Sequence, residues 1–310
     1  MAINMKGKNL VSIDDLSREE LAQILEIAEI IKLRHYSQES QPILKGKVLG
    51  MIFQKPSLRT RVSFETGMIQ LGGEAIYLGP DDIKLGQREA TKDIAQVLSR
   101  YVNGIMARTF SHDIILELAK YSSVPVINGL SDLLHPCQVL GDLLTIKEKK
   151  GRFSNLKLTY IGDGNNVAHS LMFGAVKVGI DIVLAVPPGY EPRSEIVEKA
   201  KEDAQKIGSK LEIIHNPKDA ANGADIIYTD VWTSMGFEKE SENRKNIFKP
   251  YQVNQGLVSK AKDDVIILHC LPAHRGEEIT DGVVDGSHSV VIDQAENRLH
   301  AQKAVLALLL

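Results

Sequence analysis

The chain has 310 residues, of which 43% are hydrophobic and 25% are charged, and 37 basic and 40 acidic side chains give a net charge of −3. This balance is ordinary for a globular protein and excludes the overall positive field that recruits nucleic acid. The apolar runs are far shorter than the roughly 18 residues of a membrane-spanning helix, and the first residues lack an export pattern, so we expect a cytoplasmic protein.

The first predicted element is a helix. Ser17 and Glu20 have the spacing of a capping box and stand ahead of an apolar stripe that runs from Leu21 to Ala28. After it, short apolar runs alternate with helical patterns almost to the end of the chain. Strands that are apolar at nearly every position and are separated by helices indicate parallel sheets covered on both faces. The predicted strands are VLGMIF, AIYL, GIMA and VPVIN, then LKLTYI, DIVLAV, LEII, DIIYT, VIILH and SVVI.

A chain of this length predicts about two domains. The polar stretch at residues 146–157 is the best candidate for the boundary. We therefore predict an α/β fold with two doubly wound domains, residues 1–148 and 149–292, each with a mainly parallel central sheet flanked by helices. Asp293 and Glu296 have capping-box spacing, which predicts a closing helix over residues 293–310.

Ligands of open parallel sheets bind beyond the carboxyl ends of the strands, so the residues after each apolar run are the candidates for a site. The first strand is followed by QKPSLRTR, in which Ser57 is a good N-cap for a helix. The N–H groups of that helix start, with Thr60 and Arg59, predict an anion site suited to phosphate. Arg59 and Arg61 lie about 200° apart around a helix, so we assign Arg59 to the ligand and Arg61 to a structural pair.

Two more polar residues follow strands of the first half. Arg108 ends GIMA, where no helical face solvates it, and it therefore weighs against the alternative that the arginines only solvate a helix start. His135 precedes Pro136, which suits the first position of the next helix. A neutral imidazole there could donate to a carbonyl oxygen, although a lone capping histidine is more often structural.

The segment YIGDGNNVAHS has two glycines of a dinucleotide fingerprint. Val167 occupies the third glycine position, and no acidic residue follows about 20 positions later to hold a ribose. We therefore interpret Asn165 and Asn166 as polar groups offered to a small ligand and not to NAD.

The chain has two cysteines, Cys137 and Cys270, too few for a disulfide framework or, by themselves, for a structural zinc site. Cys270 ends an apolar strand in LHCLPAHRG. A lone thiol there is usually inert packing, and a nucleophilic role would need a base and an oxyanion hole. His269 and His274 do not have a zinc-ligand spacing.

Taken together, SLRTR, HPCQ, GDGNN, DVWTSMG, HCLPAHRG and AENRLH resemble the ornithine carbamoyltransferases of the aspartate/ornithine carbamoyltransferase superfamily. The motifs are in order and span nearly the whole chain; the first two mark the superfamily, and SMG and HCLP narrow it to the ornithine branch. The resemblance implies an N-terminal domain for carbamoyl phosphate, a C-terminal domain for the amino acid, and a closing helix that packs back on the first. It also implies a homotrimer and no metal or organic cofactor.

The resemblance further implies the site residues. Carbamoyl phosphate would contact Ser57, Leu58, Arg59, Thr60, Arg108, His135, Gln138, Cys270, Leu271 and Arg298. Ornithine would contact Asn166, Asp230, Ser234 and Met235. The catalytic groups among these would be Arg59, Thr60, Arg108, His135, Asp230 and Cys270. Two positions depart from the family pattern: Leu58 replaces the more common threonine, and Lys84 stands where a glutamine often reaches a neighbouring subunit's site.

The implied reaction transfers the carbamoyl group of carbamoyl phosphate to the side-chain amine of L-ornithine and yields L-citrulline and phosphate. The same site would serve arginine biosynthesis or the arginine deiminase direction. Three alternatives stay open: a related transcarbamylase acting on putrescine, N-acetylornithine or aspartate, an NAD-dependent dehydrogenase, and a binding protein without enzymatic activity.

Overall fold

The computed structural model describes residues 2–83, 85, 89–233 and 241–310. Its strands are β1 Val48–Phe53, β2 Glu74–Leu78, β3 Gly104–Arg108, β4 Val126–Leu130, β5 Lys157–Ile161, β6 Asp181–Ala185, β7 Leu211–Ile214, β8 Ile226–Thr229 and β9 Ile266–His269. Its helices are α1 Arg18–Tyr36, α2 Leu58–Gln70, α3 Pro80–Ile83, α4 Thr91–Leu98, α5 His112–Tyr121, α6 Pro136–Lys150, α7 Asn166–Val178, α8 Ser194–Ile207, α9 Pro217–Ala221, α10 Ser241–Phe248, α11 Gln255–Val258, α12 Asp281–Val284 and α13 Val291–Leu309. A short 3₁₀ turn at Lys249–Tyr251 follows α10.

The chain divides into two compact units. The first contains residues 1–144 and 296–310, and the second contains residues 145–295. The division falls inside α6, four residues before the predicted boundary, and inside α13, so each of these helices contributes to both units.

The first unit is built on a parallel sheet with the strand order β2-β1-β3-β4. Strands β3 and β4 are buried at every position, as expected for a sheet with both faces covered. The register shifts between Ala107 and Arg108, so that Arg108 pairs with Leu130 at the carboxyl edge. Ile52, Ile105 and Ile115 belong to the apolar core beneath that edge.

The second unit is built on a parallel sheet with the order β7-β6-β5-β8-β9. Strand order reverses beside β5, because β6 lies on one side of it and β8 on the other. Ligands of doubly wound sheets bind at such a switch point, beyond the carboxyl ends of the strands. The predicted fold, two doubly wound units with parallel sheets, is confirmed.

Local signals were informative at several helix ends. The capping box of Ser17 and Glu20 is present, and Pro136 is the first residue of α6, as predicted. The predicted strand SVVI is wrong: of its residues, Ser289 forms only an isolated bridge, and α13 begins at Val291. The capping box predicted from Asp293 is wrong for the same reason, because Asp293 already lies in the first turn of the helix and pairs with Lys149.

None of the helices in the described part of the chain combines the length and the apolar character that crossing a membrane requires.

Candidate active site

The turn after β1 leads into the N-terminus of α2. Ser57 is extended (φ −156°, ψ 114°), and its hydroxyl accepts a hydrogen bond from the N–H of Thr60 at 3.4 Å, which confirms the predicted N-cap. Leu58, the first residue of the helix, is 76% exposed. The first N–H groups of a helix have no partner within the helix, and the dipole adds positive potential there, so this end of α2 is suited to an anion.

The two arginines of α2 have different surroundings. Nε of Arg61 is 3.3 Å from Oε2 of Glu65, and its guanidinium lies 4.0 Å from the ring centre of Tyr77. The predicted structural pairing of Arg61 is therefore confirmed. Arg59 is partly exposed in the first turn, and its charge acts on His135.

Thr60 joins three elements of the first unit. Its side chain is fully buried, and Oγ1 accepts hydrogen bonds from Nη1 of Arg108 at 3.4 Å and from Nη2 of Arg298 at 3.1 Å. Arg108 comes from the end of β3 and Arg298 from α13, and both are at least nine-tenths buried. A hydroxyl oxygen has two lone pairs, so both are occupied and the hydroxyl can act toward a further ligand only as a donor.

The approach of α13 to α6 depends on Gly141. A Cβ on Gly141 would lie 3.0 Å from Cγ, 3.1 Å from the backbone nitrogen and 3.2 Å from Cα of Arg298. Because two of these atoms belong to the backbone, any side chain at position 141 would push the helix that carries Arg298 away.

His135 directly precedes α6 and is 5% exposed. The pKa of His135 is held well below its usual value, mainly by burial of the ring. The positive charges of Arg298, Arg108 and Arg59 lower this pKa further. The imidazole is therefore neutral near pH 7 and can donate one hydrogen bond.

Gln138 and Cys137 follow in the first turn of α6. Nε2 of Gln138 donates to Oδ1 of Asp142 at 2.8 Å, and among the described residues its buried Oε1 has no hydrogen-bond partner. An acceptor in that position suits an N–H donor of a ligand. Burial raises the pKa of Cys137 to about 12, and its thiol donates to the carbonyl oxygen of Asn128, so this cysteine is structural.

A carboxylate and a thiol meet at the carboxyl edge of the second unit. Asp230 follows β8, and its Oδ1 accepts from the thiol of Cys270 at 2.9 Å and from the N–H of Val231 at 2.8 Å. Its Oδ2 accepts from Nδ2 of Asn165 at 2.8 Å. The carboxylate is 6% exposed and satisfied by three donors, so it is held as a fixed acceptor.

The β5–α7 turn provides the other side of this edge. Oδ1 of Asn165 accepts from the N–H groups of Val167 and Ala168, at 2.9 and 3.1 Å, so Asn165 is the N-cap of α7. Asn166 is the first residue of the helix and is partly exposed. Gly164 is required in the turn, because a Cβ there would lie 2.3 Å from the backbone nitrogen of Pro192.

Leu271 has a left-handed backbone (φ +55°), which is uncommon for a branched side chain. Its N–H donates to Nδ1 of His269 at 2.9 Å, and Nε2 of His269 lies 3.1 Å from Oε1 of Glu278. Both His269 and Glu278 are fully buried. Because Nδ1 of His269 accepts a hydrogen bond, its Nε2 carries the proton. His269 and Glu278 together stabilise the turn that follows Cys270.

Arg244 holds the segment after β8. Its Nε donates to the carbonyl oxygen of Trp232 at 2.6 Å, and its Nη2 pairs with the carboxylate of Asp163. The guanidinium also lies 4.7 Å from the ring centre of Tyr190. Arg244 and Glu278 were not among the sequence candidates, because nothing in the local pattern shows that a charged side chain will be buried.

In the described part of the chain, two groups bring possible metal ligands within 4.8 Å of one another: Asp230 with His269 and Cys270, and His274 with Glu277 and Glu278. Both ring nitrogens of His269 are already engaged by Leu271 and Glu278. The first group therefore offers a metal no imidazole lone pair.

The structure places the predicted residues in two clusters, one in each unit. The first unit holds Ser57, Leu58, Arg59, Thr60, Arg108, His135, Gln138 and Arg298, and the second holds Asn166, Asp230, Cys270 and Leu271. Lys84, Ser234 and Met235 lie outside the described residues.

Two doubly wound units, one with an arginine-rich anion cluster and the other with a carboxylate–thiol pair, are what an α/β enzyme that binds two small substrates requires. The chain belongs to the aspartate/ornithine carbamoyltransferase family. Residues 8–148 match the family's carbamoyl-P binding domain, and residues 154–309 match its Asp/Orn binding domain.

Curated relatives and solved structures match over the full length. The chain is 55% identical to an ornithine carbamoyltransferase of Thermococcus kodakarensis over 100% of this chain and 98% of the relative. It is also 55% identical to an ornithine carbamoyltransferase of Carboxydothermus hydrogenoformans, over 100% of both chains. The crystal structure of the Pyrococcus furiosus ornithine carbamoyltransferase has a TM-score of 0.97 at 54% identity and covers 99% of this chain and 98% of that one.

Proposed function

We propose that this chain transfers the carbamoyl group of carbamoyl phosphate to the side-chain amine of L-ornithine and releases L-citrulline and phosphate. The observation that carries the proposal is the convergence of Arg108 and Arg298 on Oγ1 of Thr60. Guanidiniums that converge on the N-terminal turn of a helix form a site that suits an anionic ligand such as phosphate. The 55% identity to ornithine carbamoyltransferases supports carbamoyl phosphate as that ligand.

The phosphate group binds at the N-terminus of α2, where Ser57, Leu58 and Arg59 stand. Backbone N–H groups and the helix dipole stabilise the negative charge that builds on the phosphate as it departs. Arg59 lies in the first turn of α2, so its guanidinium adds a positive charge at this end.

The carbonyl group of the substrate is polarised by three donors. The hydroxyl of Thr60, the guanidinium of Arg108 and the neutral ring of His135 donate hydrogen bonds to the carbonyl oxygen as it gains negative charge. A neutral imidazole is suited to this role, because it adds no further charge beside three arginines. Gln138 accepts from the carbamoyl NH₂ through its buried Oε1. Removing one such donor typically reduces turnover by roughly 100- to 1,000-fold.

The amine of ornithine attacks the carbonyl carbon. A C–N bond forms, the C–O bond to phosphate breaks, and the nitrogen gives up one proton, which the departing phosphate takes up. The attacking amine must be neutral, although a free alkylammonium has a pKa of about 10.4. Asp230 and Cys270, joined by a 2.9 Å hydrogen bond, orient the ornithine and help its ammonium group lose a first proton before the attack. Asn166, Ser234 and Met235 complete the binding of ornithine. No covalent bond to Cys270 forms, so isolation of a carbamoyl-cysteine on the productive path would contradict the mechanism.

The first experiment measures citrulline formation by the wild type, Arg59→Ala and the matched control Arg61→Ala. Arg61 is engaged by Glu65 and Tyr77, so its removal should leave the KM for carbamoyl phosphate within about twofold. Arg59→Ala should lose roughly 100-fold or more in kcat/KM. Equal activity of Arg59→Ala and the wild type would remove the central assignment.

The second experiment separates the alternatives by substrate. Ornithine, putrescine, N-acetylornithine and aspartate are compared as acceptors, and ornithine should have the highest kcat/KM. Binding of a nicotinamide cofactor would instead support a dehydrogenase. Absence of a carbamoylated product with every acceptor would support a binding protein.

The proposal includes a homotrimer in the cytoplasm, as the family resemblance implies. Exposed apolar side chains support contact with another copy: Ile76 on the edge strand β2 is 49% exposed, and Val62 and Ile69 on α2 are 51% and 63% exposed. Sedimentation equilibrium tests it, and a monomeric mass at micromolar concentration would exclude the trimer.

A further inference from the structure

Asn165 interacts with two different groups through the two ends of one amide. Its Oδ1 caps α7 by accepting from Val167 and Ala168, and its Nδ2 donates to Oδ2 of Asp230 at 2.8 Å. The same carboxylate accepts from the thiol of Cys270 through Oδ1. The Asp230 carboxylate at the end of β8 is therefore hydrogen-bonded both to Asn165 at the start of α7 and to Cys270 at the end of β9.

We infer that Asn165 is a positioning residue: it holds the Asp230 carboxylate in the orientation that accepts from Cys270 and binds the amino acid substrate. The inference rests on the proposed function and extends it to a residue that does not itself touch the reacting atoms. The three donors to Asp230 are not equivalent, because Val231 is its own neighbour in the chain and Cys270 is part of the site. Asn165 is the donor that connects the carboxylate, which follows β8, to helix α7.

A purely capping role does not account for asparagine at this position. Serine, threonine and aspartate cap helices about as well. Asparagine is the one among these residue types whose acceptor and N–H donor are on separate atoms, so that it can cap a helix and donate to a carboxylate at once. Aspartate would cap α7 equally well but would place a second carboxylate against Asp230.

The other polar side chains near Asp230 are engaged elsewhere, which makes Asn165 the suitable donor to its Oδ2. Arg244, a nearby cation, is engaged by Asp163 and by the carbonyl oxygen of Trp232. The hydroxyl of Tyr160 donates to the carbonyl oxygen of Asp163 at 2.9 Å and lies 3.4 Å from Oδ1 of Asn165. Burial, together with the nearby charges of Asp230 and Asp163, raises the pKa of Tyr160 well above its usual value, so the phenol stays neutral.

The test uses Asn165→Ser, which keeps a capping oxygen and removes the amide donor. The matched control is Asn254→Ser, the same substitution at the N-cap of α11 in the same unit, where Oδ1 accepts from Leu257 at 3.1 Å. Both variants should unfold at similar temperatures. Asn165→Ser should raise the KM for ornithine roughly 10- to 100-fold, the usual effect of losing a hydrogen bond to a charged group, and leave the KM for carbamoyl phosphate within about twofold. Asn165→Asp should have the larger effect on ornithine.

A second readout needs no substrate. The hydrogen bond to Asp230 keeps the thiol of Cys270 protonated, and only the thiolate reacts with iodoacetamide. Alkylation of Cys270, followed by peptide mass spectrometry, should be several times faster in Asn165→Ser than in the wild type and unchanged in Asn254→Ser. Cys137 serves as an internal standard, because its buried thiol reacts slowly.

The two readouts separate the possible failures. Unchanged ornithine KM and unchanged alkylation of Cys270 in Asn165→Ser would overturn the positioning role. The wild type could also form no citrulline while Cys270 is alkylated faster in Asn165→Ser than in the wild type. This pair of results would overturn the proposed reaction and still support the connection from Asn165 through Asp230 to Cys270.

Discussion

The hydroxyl oxygen of Thr60 accepts a hydrogen bond from Arg298, which stands 238 residues further along the chain. Arg108 donates to the same oxygen. One buried hydroxyl thus orients two guanidiniums from two different elements, and its own proton remains available for a ligand.

Thr60→Val should therefore impair carbamoyl phosphate binding more than folding. Valine keeps the shape of the side chain but removes the acceptor of two charged donors, each worth roughly 1.5 to 3 kcal/mol. We expect a 10- to 1,000-fold loss in kcat/KM for carbamoyl phosphate, measured by citrulline formation. Thr159→Val is the control, because Thr159 donates its buried hydroxyl to the carbonyl oxygen of Ala220 in the second unit. An equal kinetic loss in that control would show that the effect is general destabilisation.

His135 should remain neutral throughout the working pH range. Burial and the charges of Arg298, Arg108 and Arg59 hold its pKa well below the usual value, so its ring signals in NMR should not shift between about pH 6 and 8. Arg298→Met removes the arginine whose charge lowers the pKa of His135 most, so this substitution should raise that pKa. Titration of the ring near pH 7 in the wild type would contradict its assignment as a neutral donor.

Gly141→Ala should displace the helix that carries Arg298. Alanine favours a helix over glycine by about 1 kcal/mol, but the new Cβ would meet backbone atoms of Arg298 at 3.1 and 3.2 Å. Overpacking of this kind typically costs about 1 to 3 kcal/mol, so we expect lower stability in urea and a higher KM for carbamoyl phosphate. Gly282→Ala in α12 is the control, since its Cβ would meet nothing within 4 Å. A stabilised Gly141→Ala with normal kinetics would refute the close-packing argument.

His300 should make the protein less stable in acid. Burial is the main cause that lowers its pKa to about 4, opposed by its hydrogen bond to Glu296, while Lys303 and Lys32 lower it further. In the unfolded state His300 binds a proton near pH 6.5. The contribution of neutral His300 to the free energy of unfolding is therefore fully present above that pH and is lost as the pH drops toward 4. His300→Gln should show a smaller fall between pH 6.5 and 4.5, by roughly 2 to 3 kcal/mol, in denaturant titrations. Parallel curves for variant and wild type over this window would exclude the effect.

The local features of the site were predictable from the sequence, and the long-range ones were not. Ser57 and Pro136 were placed correctly because a cap and a first-turn proline depend on a few neighbouring residues. The contact between Thr60 and Arg298, by contrast, depends on how two distant helices pack, and the residues alone did not reveal it. SVVI was misread as a strand because a short apolar run fits a buried strand and the start of a buried helix equally well.

The second unit shows the same limit. Asn165 was expected to face a ligand, whereas its amide is used by the start of α7 and by Asp230. Glu278 was not among the sequence candidates, and its burial against His269 follows only from the tertiary structure. Both residues act on the site through another side chain, and such indirect roles leave no spacing pattern in the sequence.

Helix α13 follows the whole second unit in the chain, and it carries Arg298 into the first unit. Every other member of the anion cluster is translated more than 150 residues earlier, since Gln138 is the last of them in sequence. A nascent or prematurely terminated chain can therefore fold its first sheet and still lack one of the guanidiniums that grip the anion. The anion cluster is therefore complete only after the whole second unit has been translated.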